Sequence, residues 1–529
     1  MKNKKYLVFL VIFIIIALIP TLFKGIFIGH DITFHLSRIE GITDGLKNGT
    51  FPVLIYPGYL NNYGYASGIF YPDFFLYLPA ILHLLNLTTI ASYKILLVLI
   101  TIAIPFSMYF CINKITKSEK SALITSIIYL MSSYRITDMW VRAALGETIT
   151  FIFWPFLILG LYEIIYGEEK NWKYLTIGLV GIVLSHLISI LFALIVIFIF
   201  CLINIKKIFS NKSRLLNLIK SGIFSILITS FFIFPLLEMM KSDSFNYSNY
   251  TNGELIETRT VSPLLNIIEI PSSQEPWIPQ GIGIIFIYLF IKYAFKKTNN
   301  FSFKIFCLIF GFVLLIATTN IFPWEIFGKI LGIIQFPWRL YLPITILFLF
   351  GFSENVKAEK IPVIILFTLF TFSIGTYYTY RYDTTTNEYK YNIMAGEYIP
   401  KNVDINKYYE RGEIITSNNN VESTFTRKGT ILNINYKNSD DNTYLELPLL
   451  YYKGYKASDN SKIEKGSNGM VRVYINKGKN NIKIKYELTF IRKISYVLSI
   501  LSTIPNISIK VLLSILSVFS KSIPFSLKT

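Results

Sequence analysis

The chain has 529 residues, 53% hydrophobic and only 16% charged, with mean hydropathy +0.49. Soluble domains carry about 25% charged residues, so this composition describes an integral membrane protein with a modest soluble remainder. It excludes a cytosolic enzyme, a disulfide-rich secreted domain and a disordered chain. The 51 Lys+Arg against 32 Asp+Glu give a net charge of +19. The chain is too apolar for a nucleic-acid binder, and the positive charge does not fall on one solvated face.

The N-terminus places Lys2, Lys4 and Lys5 before an uncharged run from Tyr6 to Phe23. No small-residue cleavage site follows, so the run reads as an uncleaved first pass across a hydrocarbon core of about 30 Å. Further candidate passes lie near 93–113, 121–134, 148–166, 173–186, 188–205, 218–237, 280–295, 303–319, 339–353, 361–379 and 488–505, which makes about twelve. Phe74–Leu87, interrupted by Pro79, is too short to span and reads as a re-entrant or surface helix. Cys111, Cys201 and Cys307 sit apart in apolar runs and indicate neither a disulfide framework nor a zinc site.

Tyr174–Ile205 is long for one pass and short for two. Two passes put every basic short loop on one side: 2–5, 114–120, 167–173, 206–220, 292–304 and 353–360. These hold 19 Lys/Arg against five acids. Positive charge stays inside, so the N-terminus is expected in the cytoplasm. The outer face then receives 28–92, 135–147, 238–279, 320–338 and 380–487. The loop 238–279 carries six acids. Apolar alternation in Ile431/Ile434/Tyr436, Val471/Val473/Ile475 and Ile482/Ile484/Tyr486 predicts an antiparallel β-domain over 380–487, with a hairpin at Asn476–Asn481. The domains expected are therefore 1–379, a transmembrane domain with first outer loop 28–92; 380–487, an outer β-sandwich-like domain; and 488–529, a last pass followed by an amphipathic tail over 506–529.

The first outer loop opens Gly29-His30-Asp31-Ile-Thr-Phe-His35-Leu-Ser-Arg38. At 100° per residue Asp31, His35 and Arg38 share one face beside an apolar stripe of Ile32, Leu36, Ile39 and Leu46. This predicts an amphipathic helix along the membrane. An acid flanked by a His and an Arg suits a general base near a phosphate-binding cation. The plainer role of Asp31 is a helix N-cap, and the two are compatible. Asp73 precedes a helix and is favoured as a cap. The third pass ends with Arg135, Asp138, Arg142 and Glu147, where an Arg142–Glu147 surface ion pair would be worth little. His186 lies at an outer turn, where a structural hydrogen bond is the commoner role. Arg339 starts a pass. It either snorkels to a headgroup or grips a lipid phosphate with its guanidinium fork. No P-loop, HExxH or GxSxG occurs, and Gly281-Ile-Gly283 lacks the third glycine of a nucleotide site.

The stretches Gly29-His30-Asp31…Phe34-His35…Arg38-Ile39-Glu40-Gly41, Phe51-Pro52, Tyr56-Pro57, Gly64-Tyr65…Gly68-Ile69-Phe70-Tyr71-Pro72, Arg142-Ala-Ala-Leu-Gly-Glu147 and Phe336-Pro-Trp-Arg339 resemble bacterial multi-pass proteins called 6-pyruvoyl-tetrahydropterin synthase-related. No zinc triad of the soluble pterin synthase is visible. Leu447-Pro448…Tyr451-Tyr-Lys-Gly454-Tyr455, with Asn468-Gly469, Gly478 and Tyr486, is similar to YfhO-like membrane proteins. Both groups resemble GT-C glycosyltransferases. The resemblance implies a polytopic α-helical GT-C-like fold whose outer active site moves a sugar from a polyprenyl-phosphate carrier to an envelope glycan, a teichoic or lipoteichoic acid or a similar polymer. Asp31 matches the family's first-loop acid. The single Asp, where some relatives have paired acids, leaves a divalent metal open. His35, Arg38, Asp73, Arg142, Glu147, His186 and Arg339 are the implied substrate-binding set. The partners are the bilayer, the lipid-linked sugar and the acceptor, in a bacterial cell membrane. A non-catalytic lipid-glycan transporter or an assembly scaffold shares this topology. Ionisable residues at outer ends rather than mid-membrane favour the enzyme.

Overall fold

Each long apolar run forms a helix, and the polar residues beside it set where the helix starts. The computed structural model describes residues 3–247, 259–263, 281–382, 385–386, 396–419 and 421–504. Asn3 caps the helix Lys4–Leu18 by accepting the Lys5 N–H, and Thr88 caps Thr89–Thr116 by accepting that of Ala91. Together with Leu145–Ile165, and with the first helix counted through to Leu22, these are, among the described residues, the three helices long and apolar enough to cross a membrane. Lys212–Ile228 and Ser230–Ser242 make a fourth if the pair, bent by 71°, is one span. The protein is thus mostly helical with candidate membrane spans, and the expectation of about twelve is not supported. Helices do form at the remaining expected places: Ile361–Tyr382 has 22 residues, whereas Leu187–Ile203, Ile284–Tyr293, Phe301–Ala317 and Pro337–Phe352 have only 10–17. At about 1.5 Å per residue the shorter four reach only part of the way across a 30 Å core. An apolar run in sequence is longer than the straight helix it makes, because breaks and turns consume part of it. Phe490–Thr503, expected as the last pass, has 14 residues. The tail 506–529 lies outside the described residues.

Helix Leu145–Ile165 packs closely on Lys173–Val183. A Cβ on Gly160 would lie 2.1 Å from the Leu175 nitrogen, and one on Gly178 would lie 2.5 Å from that of Leu157. Glycine is what allows the two backbones to meet. Tyr174–Ile205 is broken into two helices at His186, as the charge pattern predicts.

The six basic loops gather at one end of the bundle. Asn3 N–H donates to Glu119 (3.0 Å), and the Ser121 hydroxyl donates to the Ser353 carbonyl. Asn299 N–H donates to Glu354 (2.7 Å) and Asn300 donates to Tyr162 (2.7 Å). Lys207 lies over Tyr166 and Lys220 over Trp172. The first loop and the sheet domain occupy the other end.

The sheet domain is built of two four-stranded antiparallel sheets. Its strands are β3 (Thr416–Ser417), β4 (Glu422–Lys428), β5 (Ile431–Asn438), β6 (Thr443–Leu450), β7 (Tyr455–Ala457), β8 (Ile463–Lys465), β9 (Met470–Ile475) and β10 (Gly478–Tyr486). The orders are β4-β5-β10-β7 and β3-β6-β9-β8. Leu432, Ile434 and Ile482 from one sheet and Leu445, Val471 and Val473 from the other are fully buried. The expected hairpin at 476–481 is instead a crossing between sheets. β9 pairs with β6 and β8, whereas β10 pairs with β5 and β7. The same polar turn residues serve a corner as well as a hairpin. The domain is docked on the first loop. Leu450 N–H donates to the Tyr63 carbonyl (2.8 Å), Tyr63 stacks on Tyr408 (4.1 Å) and Arg427 donates to the Asn62 carbonyl (3.1 Å). A short ladder joins β1 (Ile26–Phe27) to β2 (Thr385–Thr386).

Candidate functional site

The first-loop helix runs Ile32–Lys47, but it does not lie amphipathically along a membrane. Its polar face is as buried as its apolar one, because residues 67–77 and 134–145 cover it; His35 and Arg38 are each 2% exposed. Its start is clamped from the side. The His30 and Asp31 N–H groups donate to the Val141 (3.2 Å) and Arg142 (2.9 Å) carbonyls. Those carbonyls are presented by a π-turn, Thr137–Val141, and by Ala143 at φ 51°. A non-glycine residue in that region stores strain. Gly29 fits beneath it because a Cβ there would lie 2.6 Å from the Ala143 Cβ.

Asp31 occupies the N-cap position, yet its side chain makes no capping hydrogen bond. The half-buried carboxylate faces Arg142, Arg339 and Glu147. Burial pushes it above the usual carboxylate range. The two guanidiniums oppose that shift and Glu147 adds to it.

Around it the predicted residues converge from four segments. Arg142 Nη1 donates to Asp138 (2.6 Å), to Glu147 (2.9 Å) and to the Tyr134 hydroxyl (3.0 Å). Tyr134 donates in turn to the other Glu147 oxygen (2.5 Å), and Thr148 donates to Asp138 (3.1 Å). Arg339 Nε lies 3.5 Å from Glu147, while its Nη1 donates to the Ile334 carbonyl (3.0 Å) and to Gln335 (2.8 Å). Arg142, Glu147 and Arg339 are all buried, so the Arg142–Glu147 pair is an interior one, not the surface pair expected. His186 also faces this group, with Nδ1 on the Ser189 hydroxyl (2.9 Å), and burial brings it down to about 3. Tyr71 bridges the two halves. Its ring lies 4.3 Å from the Arg38 guanidinium carbon and 6.5 Å from the His186 ring.

Arg38 and Asp73 take a different place. Arg38 Nε (3.0 Å) and Nη2 (2.6 Å) donate to one Asp73 oxygen, Nη2 also donates to the Pro72 carbonyl (2.7 Å), and the Tyr56 hydroxyl donates to the other Asp73 oxygen (2.5 Å). Asp73 makes no capping bond, contrary to the expected cap. Two donors face His35: Arg38 Nη1 at Nδ1 (3.1 Å) and the Leu145 N–H at Nε2 (3.2 Å). A neutral imidazole accepts at one nitrogen only, and burial with Arg38 alongside keeps the ring neutral.

Sequence reasoning missed Tyr134, Asp138, Tyr71 and Tyr56. The i, i+4 spacing of Asp138 and Arg142 was a signal for the second of these. Nothing in the sequence tied Arg259 to the site. Its guanidinium lies over Phe336 (4.3 Å), the ring that Arg339 also approaches (4.8 Å), and it faces His30. Among the described residues no three His, Cys, Asp or Glu are grouped to hold a metal ion. Asp138 and Glu147 are engaged by Arg142, so the donor set does not fit a divalent metal.

The fold and site define a mostly helical protein with candidate membrane spans and a sheet domain docked on the first loop, at the end of the bundle that holds a buried acid–arginine cluster. The chain belongs to DUF6541, a family of unknown function, which it matches over residues 5–332. That match includes Asp31, Arg142, Glu147 and His186 and stops before Arg339 and the sheet domain. The chain is also 25% identical over 342 residues to an uncharacterized protein of Lactococcus lactis subsp. cremoris (strain MG1363), an alignment covering 61% of this chain. It spans 55% of that relative's length.

Proposed function

We propose that this protein is a GT-C-like glycosyltransferase of the bacterial cell membrane, moving a sugar from a polyprenyl-phosphate carrier to an envelope glycan or polymer on the outer face. The observation that carries this reading is Asp31. It is a carboxylate at a helix start that does not cap the helix, has a raised proton affinity, and sits among buried arginines. Asp31 takes the proton of an acceptor hydroxyl as that oxygen bonds to the sugar's anomeric carbon. The bond from that carbon to the phosphate oxygen breaks, and the lipid phosphate departs with the electron pair. Fixed guanidiniums stabilise the charge that develops there. Arg339 and Arg142 lie beside Asp31 for that purpose. Arg38, enclosed by Asp73, Pro72 and His35, holds the helix in place instead. The gathering of the six basic loops at the far end supports a cytoplasmic N-terminus and an outer site.

Removing a general base costs about 10²–10⁴-fold in rate. In cells lacking the gene, Asp31→Asn inserts normally but leaves the surface glycans of the deletion strain unrestored, whereas the wild-type gene restores them. Restoration by Asp31→Asn sinks the assignment and moves the search to Glu147 and Asp73. Orientation is tested separately. Cysteines placed at Asn418 or Lys462 react with an impermeant thiol reagent in intact cells and one at Asn211 does not; labelling at Asn211 alone reverses the topology.

A further inference from the structure

Between helix Phe301–Ala317 and the site residue Arg339 runs a short arm whose surface does not suit water. It turns at Thr318–Pro323, forms the helix Trp324–Leu331 and ends in the turn Gly332–Ile334. One side of the arm is anchored. Trp324 is 2% exposed, and its indole N–H donates to the Ala317 carbonyl (3.1 Å). The other side presents Ile321 (67% exposed), Ile326 (70%), Phe327 and Ile333. Soluble surfaces scatter such residues singly, and a contiguous set marks a binding face. This face continues the apolar outside of Phe301–Ala317, where Ile309, Phe312, Val313 and Ile316 are also exposed. In a membrane protein that outside is the lipid-facing belt.

We infer that the helix Trp324–Leu331 lies in the bilayer surface on the site's side, with Ile326 and Phe327 among the acyl chains and its occupant the phospholipid leaflet itself. Short amphipathic helices bind in this way, with the apolar face sunk about 5–10 Å below the headgroups. The arm is coupled to the site at its far end, because Arg339 holds its last turn through the Ile334 carbonyl and Gln335. Gln335 itself is forced to φ 64°, which turns the chain from the arm into Phe336–Arg339. The face that meets the leaflet is therefore joined to Arg339 through the turn at Ile334 and Gln335. This conclusion does not depend on the reaction proposed above.

The test uses the full chain in phosphatidylcholine/phosphatidylglycerol nanodiscs, with Cys201→Ala as background, since Cys111 and Cys307 are buried. Single spin labels go on Ile326→Cys, Phe327→Cys and Glu325→Cys. A label on Val8→Cys serves as the lipid-facing reference, and one on Lys462→Cys as the water-facing reference. Collision rates with oxygen and with a water-soluble nickel chelate are read by power saturation. The expected oxygen-to-nickel ratio at 326 and 327 approaches that at Val8 and exceeds that at Lys462 several-fold. A ratio at both positions equal to that at Lys462 overturns the inference, whatever the enzymatic outcome. All five positions are exposed, so none of the labels disturbs packing. The ratio at Glu325 sharpens the picture: a lower value than at 326 fixes which face looks down.

Discussion

Two clusters of the same chemistry lie side by side at the end of the bundle that carries the sheet domain. Each joins an arginine, a carboxylate and a tyrosine hydroxyl. In the Arg38–Asp73–Tyr56 cluster both carboxylate oxygens are satisfied and the guanidinium is enclosed. In the Asp31–Arg142–Arg339 cluster one carboxylate is left without its capping bond, and one guanidinium nitrogen, Arg339 Nε, is buried without a hydrogen bond. The sequence shows an acid and an arginine in both. What separates scaffold from candidate chemistry is saturation, because a group already engaged on every side has nothing left to offer a substrate.

That contrast can be broken by measuring stability across it. The largest expected effect is Arg38→Ala, which strands Asp73 in the interior. Breaking such a pair costs about 3–5 kcal/mol, so the folded protein in detergent should unfold at markedly lower temperature or denaturant. An unchanged midpoint would mean that the pair does not hold the loop. Tyr56→Phe removes a single hydrogen bond to the same carboxylate. A loss of about 1.5–3 kcal/mol is expected, read from the same unfolding curves. Asp31→Asn should lose no stability near neutral pH, because no capping bond is lost and Asn serves the position as well, and should gain a little by removing a charge that burial disfavours. A loss as large as that of Tyr56→Phe would place Asp31 with the scaffold.

The smallest effect sharpens the contrast through pH. Asp31 binds its proton more tightly folded than unfolded, since burial raises its affinity. Stability therefore falls as pH rises from the ordinary carboxylate value of about 3.9 through the raised one. Asp31→Asn flattens that slope. Activity runs the other way, since a base must be unprotonated, so its acidic limb should lie above about 3.9. An acidic limb at the ordinary value would show that Asp31 is not the titrating base.

Much of this was legible before the structure, and the remainder was hidden for identifiable reasons. Helices stand where apolar runs predicted them, and β5, β9 and β10 follow the period-two stretches. The count of membrane passes was not legible, since a run such as 218–237 does not announce that its helix bends by 71° near Thr229. Asp31, Arg142, Glu147, His186 and Arg339 could be named because each charge or imidazole stood at the end of an apolar run. Their partners could not be ranked. Asp73 read as a helix cap, and only its bonds from Arg38, 35 residues away, and from Tyr56, 17 residues away, show that both of its oxygens are occupied. Polar groups at helix ends betray a location, whereas their saturation depends on contacts that no local pattern encodes.

The docking of the sheet domain has a consequence for how the protein is made. Asn62, in the first loop, receives its bond from Arg427, 365 residues later. Ribosomes add about 5–20 residues per second, so roughly 20–70 seconds of synthesis separate the two. During that interval the first loop has no partner for the Tyr63 carbonyl or the Tyr63 ring. A truncated chain that ends before Tyr408 would keep Asp31 and Arg142 but would leave the loop above them unfinished. Completion of the first loop's contacts is thus tied to completion of the polypeptide, and a prematurely terminated product would carry the site residues beside a loop that lacks its bonds to the sheet domain.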